Sequence, residues 1–153
     1  MHRAGGPAIL AECGQIVSKV GRLAAGKAVI TTGGQLAAKY VIHTVGPIYR
    51  GGENNEAETL ASCHRESIRL ADQYAIESLA FPAISTGAYA YPVPEAAAVA
   101  VSATVEELAS AKHMTSVRFV LFDVATLRAY TRAAEKLELS NIASSFRIEK
   151  ASA

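Results

Sequence analysis

Ala80–Ala98, AFPAISTGAYAYPVPEAAA, puts Ser85, Thr86, Gly87 and two tyrosines between a run with the composition of a buried strand and one with the composition of a helix. The upstream run, SLAFPAI from Ser78, is short and continuously apolar, which suits a strand covered on both faces. Pro82 lacks the N–H that a paired interior strand requires, so the strand ends there. Downstream, Pro94 and Glu95 suit the first turn of a helix. Proline loses nothing there because its missing N–H has no intrahelical partner, and the carboxylate faces the positive end of the helix dipole. Alanines carry that helix to about Ala111. The loop between them sits at the C-terminal end of a strand, where open α/β sheets place their ligands.

Outward from this loop the same alternation continues. Pro7 fits a first helical position, and Ile9, Leu10, Cys13, Ile16, Val17 and Val20 follow at the spacing of one helix face. Residues 27–31 and 39–45 are β-branched runs separated by a glycine-pair turn and read as strands. GPIYRGGENNEAE reads as a loop. Residues 55–75 carry an apolar stripe, Ala57, Leu60, Ala61, His64, Ile68, Ala71 and Ala75, at helical period. SVRFVLF (116–122) is the last strand, and Asp123 caps a helix to about Leu139. Strands alternating with helices predict an α/β layered domain over residues 1–139, with a parallel or mixed sheet. Residues 140–153 form a polar C-terminal tail.

A length of 153 residues suits one hydrophobic core, and 50% hydrophobic with 19% charged residues excludes disorder for the bulk of the chain. Fifteen basic against fourteen acidic residues give a net charge of +1, so nothing in the charge balance draws in nucleic acid. The start, MHRAGGPAILAEC, lacks the apolar core of a signal peptide, and no apolar run reaches the ~18 residues of a membrane span. A cytoplasmic location without a membrane partner is expected. Cys13 and Cys63 have no partners at zinc-ligand spacing and read as reduced thiols.

Candidate chemistry is sparse. Gly21–Ala28, GRLAAGKA, falls one residue short of the phosphate-binding pattern G-x-x-x-x-G-K-[ST], but Ala28 has no hydroxyl for magnesium and the order is helix-to-strand rather than strand-to-helix. Its glycines read as a helix end and a turn. His43 in a strand and His64 on an apolar helix face read as hydrogen-bonded structural residues. Glu106 and Glu107 read as a solvated face, and no G-x-S-x-G elbow occurs. No metal or cofactor is implied. In the 85–89 loop, successive N–H groups in a glycine-bearing turn would make an anion-binding concavity, to which Ser85 and Thr86 would add hydroxyls. The same composition also serves a plain strand-to-helix connection. Tyr89 at the loop tip favours function, whereas Tyr91 before Pro92 suits packing.

Three stretches together, HRAGGPAILAEC, AKYVIHTVGPIYRGG and LAFPAISTGAYAYPVPEAA, resemble the macrodomain family, and the resemblance runs on through VRFVLF. It implies a three-layer α/β/α fold with a mixed sheet and a ligand, ADP-ribose, bound across the C-terminal strand edge. Many members of that family remove ADP-ribose from proteins or hydrolyse O-acetyl-ADP-ribose, so an ADP-ribosylated protein is an implied partner. By resemblance Ser85, Thr86, Gly87, Ala88 and Tyr89 wrap the diphosphate and distal ribose. His2 matches a histidine near the distal ribose and is the candidate catalytic residue, while Phe122 lines the adenine side.

The resemblance also implies departures. The family's adenine-binding aspartate, its central strand ending in an asparagine, and its first phosphate loop with a catalytic aspartate precede the histidine matched by His2. On that basis the sequence is expected to be N-terminally truncated, with a protein that starts further upstream. Binding would then survive better than hydrolysis, leaving a non-catalytic binding module as the alternative. YVIHTV and LAFPAI would flank an absent strand, and their open edges would favour homo-oligomers. Ala90 stands where glycine is usual in such loops, which matters if that position needs positive φ.

Overall fold

The computed structural model describes residues 2–139, with side chains over residues 3–137; the tail at 140–153 lies outside the described residues. The elements are α1 (His2–Gly5), α2 (Pro7–Val20), β1 (Ala28–Thr32), β2 (Tyr40–Thr44), α3 (Glu56–Gln73), β3 (Ser78–Phe81), α4 (Val93–Leu108), β4 (Ser116–Phe119) and α5 (Val124–Leu139). Pro7 opens α2, and Gly21 ends it with φ 77° and an N–H bonded to Val17 O at 2.9 Å. Gly26, at φ 82°, turns the chain into β1 and donates to Val45 O. GRLAAGKA is therefore a helix end and a turn, with no helix behind it to receive a phosphate. Asp123 Oδ1 accepts the Thr126 N–H at 2.7 Å, which caps α5.

The strands make two ladders of two. β1 and β2 pair antiparallel from Ala28↔Thr44 to Thr32↔Tyr40, and β3 and β4 pair parallel from Ser78↔Ser116 to Phe81↔Phe119. The expected mixture of directions is present, but no continuous sheet: among the described residues no backbone hydrogen bond joins β2 to β3. The last strand is also shorter than the SVRFVLF run. The chain leaves β3 at Pro82, the last bond runs from Val120 N–H to Phe81 O, and Val120 and Phe122 are exposed beyond it.

Helices supply the rest of the core. Small residues on α4 (Ala97, Ala100, Val101) let it approach α5 closely, where Tyr130 and Ala134 meet it, with Phe119 and Leu121 of the β4 segment packed alongside. Leu60, Tyr91 and Ala96 form a second cluster below the 85–91 loop. Glu107 corrects one expectation. It is 9% exposed and accepts the Arg69 Nε–H at 2.7 Å, whereas Glu106 stays at the surface with Ser102. Adjacent helical residues point about 100° apart, so one of the two faces α3.

His64 is fully buried, with Nδ1 2.9 Å from Leu60 O and the ring centroid 4.9 Å from Phe81. Desolvation pushes its pKa down to about 4, against a weaker opposing effect of the Leu60 carbonyl. Unfolding releases the ring to protonate near pH 6.5, so between pH 6.5 and about 4 the unfolded state binds more protons and stability falls as pH falls. Denaturant melts at pH 7.5 and pH 5 should differ by about 2 kcal/mol from this residue. His64→Leu should remove most of that difference, and an equal decline in the variant would contradict the assignment.

Candidate functional site

The segment leaving β3 folds into a tight turn fixed by its own main chain. Ser85 and Ala90 are left-handed, at φ 64° and 52°. The Ala90 N–H bonds to Gly87 O at 2.9 Å, and the Tyr91 N–H bonds to Ser85 O at 3.0 Å. Thr86 closes a turn at 84–85, its N–H facing Ala83 O, while the main-chain N–H groups of Ser85, Gly87, Ala88 and Tyr89 have no acceptor among the described residues. Gly87–Ala90 are exposed, and a Cβ added at Gly87 would meet open space. Consecutive free amides in a turn that mixes right- and left-handed residues form a concavity of positive partial charge.

The two hydroxyls expected to assist point elsewhere. Thr86 Oγ1 donates to Ala83 O at 3.1 Å. Ser85 Oγ is buried without a partner beneath the turn, where a Cβ on Gly46 would collide with it. Left-handed φ at Ser85 is what turns its side chain inward, toward the end of β2. Gly46 is thus glycine because the two segments touch there.

Tyr89 is 39% exposed at the tip, and its carbonyl accepts the Tyr49 N–H at 3.0 Å. Tyr91 is buried and packs its ring 4.8 Å from that of Tyr49, the packing role its position before Pro92 suggested. A cleft of roughly 430 Å³ opens beside the tip, lined by Gly46, Pro47, Ile48, Arg50, Glu56 and Tyr89 among others. Phe122 is fully exposed between β4 and α5, and no hydrogen bond among the described residues links it to the loop. His2 is the first residue of α1, and its side chain lies outside the described residues. The structure thus brings residues 85–89 together, and among the described residues it shows no hydrogen bond from Phe122 to them.

Two residues of the neighbourhood were missed in the sequence. Tyr49 was read only as part of a loop, and Glu56 only as the edge of a helix. Glu56 is 2% exposed and accepts the N–H groups of Arg50, Gly52 and Asn54. Burial alone would raise its pKa, but those amides and its own outweigh burial and hold the carboxyl below its usual value. Tyr49 is shifted the other way, by burial and then by the charge of Glu95, whose Oε2 lies 3.4 Å from its hydroxyl. A carboxylate directly after GGENN, where the chain must curl before a helix, was the available signal. Among the described residues no group of three or more His, Cys, Asp or Glu is arranged to hold a metal ion.

Comparison with known proteins places this geometry. The family described as Macro domain matches residues 1–100. An O-acetyl-ADP-ribose deacetylase of Klebsiella pneumoniae is 47% identical over 132 residues, which are 86% of this chain and 75% of that protein. The Oceanobacillus iheyensis macrodomain with ADP superposes at a TM-score of 0.85 with 34% identity, over 91% of this chain and 74% of that one. The Trypanosoma brucei macrodomain in complex with ADP-ribose superposes at 0.71 with 32% identity, over 86% and 53%. These matches bear out the macrodomain-type α/β fold.

Ala90 gives a direct check on the turn. An L-residue other than glycine in the left-handed region costs about 1–2 kcal/mol, partly offset by the extra freedom of glycine in the unfolded chain. Ala90→Gly should therefore raise stability by about 0.5–1 kcal/mol, read as a higher urea midpoint at unchanged slope. A lower midpoint would mean that position 90 does not adopt positive φ.

Proposed function

Because the chain belongs to the Macro domain family, we propose that it binds ADP-ribose, with the diphosphate held by the main-chain amides of Ser85, Thr86, Gly87, Ala88 and Tyr89. The observation that carries this reading is the run of amides at Gly87, Ala88 and Tyr89, with that of Ser85, left without acceptors in the loop after β3 and ahead of α4. A hydrogen bond to a charged oxygen contributes about 1.5–3 kcal/mol, so three or four suffice for useful affinity without a lysine. Tyr89, exposed at the tip, is suited to cover the distal ribose. Phe122, an exposed aromatic beyond β4, is suited to the adenine face.

Two outcomes of binding are proposed in order. The first is hydrolysis of O-acetyl-ADP-ribose or of a mono-ADP-ribosyl bond on a protein, with His2 as the candidate catalytic residue, supported by the name of the deacetylase relative. The second is recognition without turnover. It is favoured by the state of the carboxylates nearest the loop: Glu56 already accepts three amides and Glu95 faces the Tyr49 hydroxyl. Action in the cytoplasm is proposed on the two free cysteines. No described helix is long and apolar enough to cross a membrane.

Gly87→Val tests the amide site without burdening the fold, since the added side chain meets open space and Gly87 does not have positive φ. Titration calorimetry should show ADP-ribose affinity reduced at least tenfold, about 1.4 kcal/mol, at unchanged melting temperature. Unchanged affinity would remove the amides from the site. A single-turnover assay with O-acetyl-ADP-ribose then separates the two outcomes, since release of acetate requires the first.

A further inference from the structure

We propose that Glu56 is a positioning residue for the 85–91 loop: its carboxylate fixes the turn at 50–55, and through Tyr49 that turn holds Tyr89 in place. The proposal rests on the reading of residues 85–89 as the diphosphate site. Glu56 is the first residue of α3 and is almost fully buried. Its Oε1 accepts the N–H groups of Arg50 at 2.9 Å and Gly52 at 3.4 Å, and its Oε2 accepts that of Asn54 at 2.6 Å. The turn so gathered contains three left-handed residues, Gly51 (φ 103°), Gly52 (φ 89°) and Asn55 (φ 62°). Asn55 makes no side-chain cap bond to α3. The acidic group at this helix start therefore serves the chain before the helix, while its charge still complements the helix dipole.

Arg50, whose amide Glu56 holds, directly follows Tyr49, and Tyr49 grips the loop at two points and α4 at a third. Its N–H donates to Tyr89 O at 3.0 Å, its ring packs on Tyr91, and its hydroxyl reaches Glu95 in the first turn of α4. Among the described residues, the Tyr49–Tyr89 bond is the one backbone hydrogen bond that passes from the segment after β2 to the segment after β3. The loop needs such an outside constraint. Ser85 and Ala90 occupy backbone regions that persist only where surrounding structure over-determines them, and β2 and β3 give no ladder support. Glu56 thus acts on the loop through Arg50 and Tyr49, while its own edge borders the cleft beside Tyr89.

The variant Glu56→Gln keeps the shape but sets an NH₂ group against main-chain donors. Two readouts on the full chain test it: hydrogen exchange of the Tyr49 amide without ligand, and ADP-ribose affinity by calorimetry. The Tyr49 amide should exchange at least tenfold faster, with amides of the buried α4 residues Ala97 and Ala100 unchanged, and affinity should fall about tenfold. A parallel rise at Ala97 and Ala100 would mean that Glu56 merely stabilises the whole fold, and would overturn the proposal. Faster Tyr49 exchange with unchanged affinity, or no change in either, would overturn it as well. If the unsubstituted protein gives no heat with ADP-ribose, the diphosphate reading is what fails, and Tyr49 exchange still decides whether Glu56 controls the contact between the 50–55 turn and the 85–91 loop. Should Glu56→Gln not fold, Glu56→Asp, which keeps the charge but withdraws the oxygens by one methylene, carries the same comparison.

Discussion

Three consecutive residues of α3 make one molecule out of two ladders. Ser62 Oγ donates to Gly26 O at 3.0 Å and Cys63 Sγ to Val45 O at 3.3 Å, both on the β1–β2 side. His64 then packs its ring, tilted by 47°, against Phe81 on the β3 side. A two-stranded ladder is marginal alone in water, so each needs a surface to pack against. The fully buried Leu60, Cys63, His64 and Ile68 show that α3 provides it. Burying a leucine or isoleucine side chain contributes about 1.5–3 kcal/mol, so Leu60 and Ile68 on this helix add several kcal/mol to the stability of the whole. Burial also pushes the Cys63 thiol pKa up, which keeps that group neutral and compatible with the core.

The position of the 85–91 loop follows from this arrangement. With no backbone bonds between β2 and β3, their C-terminal extensions are brought together by α3 from below and by the Tyr49–Tyr89 contact from above. Gly46 lies so close to Ser85 that no side chain fits between them. Both hydroxyls are turned away from solvent, Ser85 Oγ against Gly46 and Thr86 Oγ1 onto Ala83 O, and the amides of Gly87, Ala88 and Tyr89 remain without partners. Fixed main-chain dipoles need no reordering when an anion arrives, in contrast to a flexible lysine. This is consistent with a chain whose net charge is only +1. Strain of about 1–3 kcal/mol for each left-handed residue is the cost of that geometry.

Much of this was legible in the sequence because it follows from local rules. Pro7, Asp123 and the 55–75 stripe gave their helices, and Pro82 marked the end of β3, since each signal depends only on neighbours along the chain. The resemblance marked the facing edges of β2 and β3 as the place where pairing was in question, and only the structure showed that the two do not pair with each other. The errors came where distant segments decide the outcome. Val120–Phe122 has strand composition but no partner once β3 has turned away. Glu107 looked like its neighbour until α3 was placed against it. The inward aim of Ser85 depends on Gly46, and the role of Glu56 depends on three amides whose positions no periodicity announces. Ala90 lies between the two: its departure from glycine was visible, and only the backbone showed that the position has positive φ.

Amide-resolved NMR with nucleotide titration bears most directly on the amides of the 85–89 loop. ADP-ribose should shift the ¹⁵N–¹H resonances of Ser85–Tyr89 together, with saturation at one ligand per chain, and adenosine, which lacks the diphosphate, should leave them in place. Equal shifts with both ligands, or shifts confined to residues outside 85–89, would show that these main-chain groups do not hold the anion.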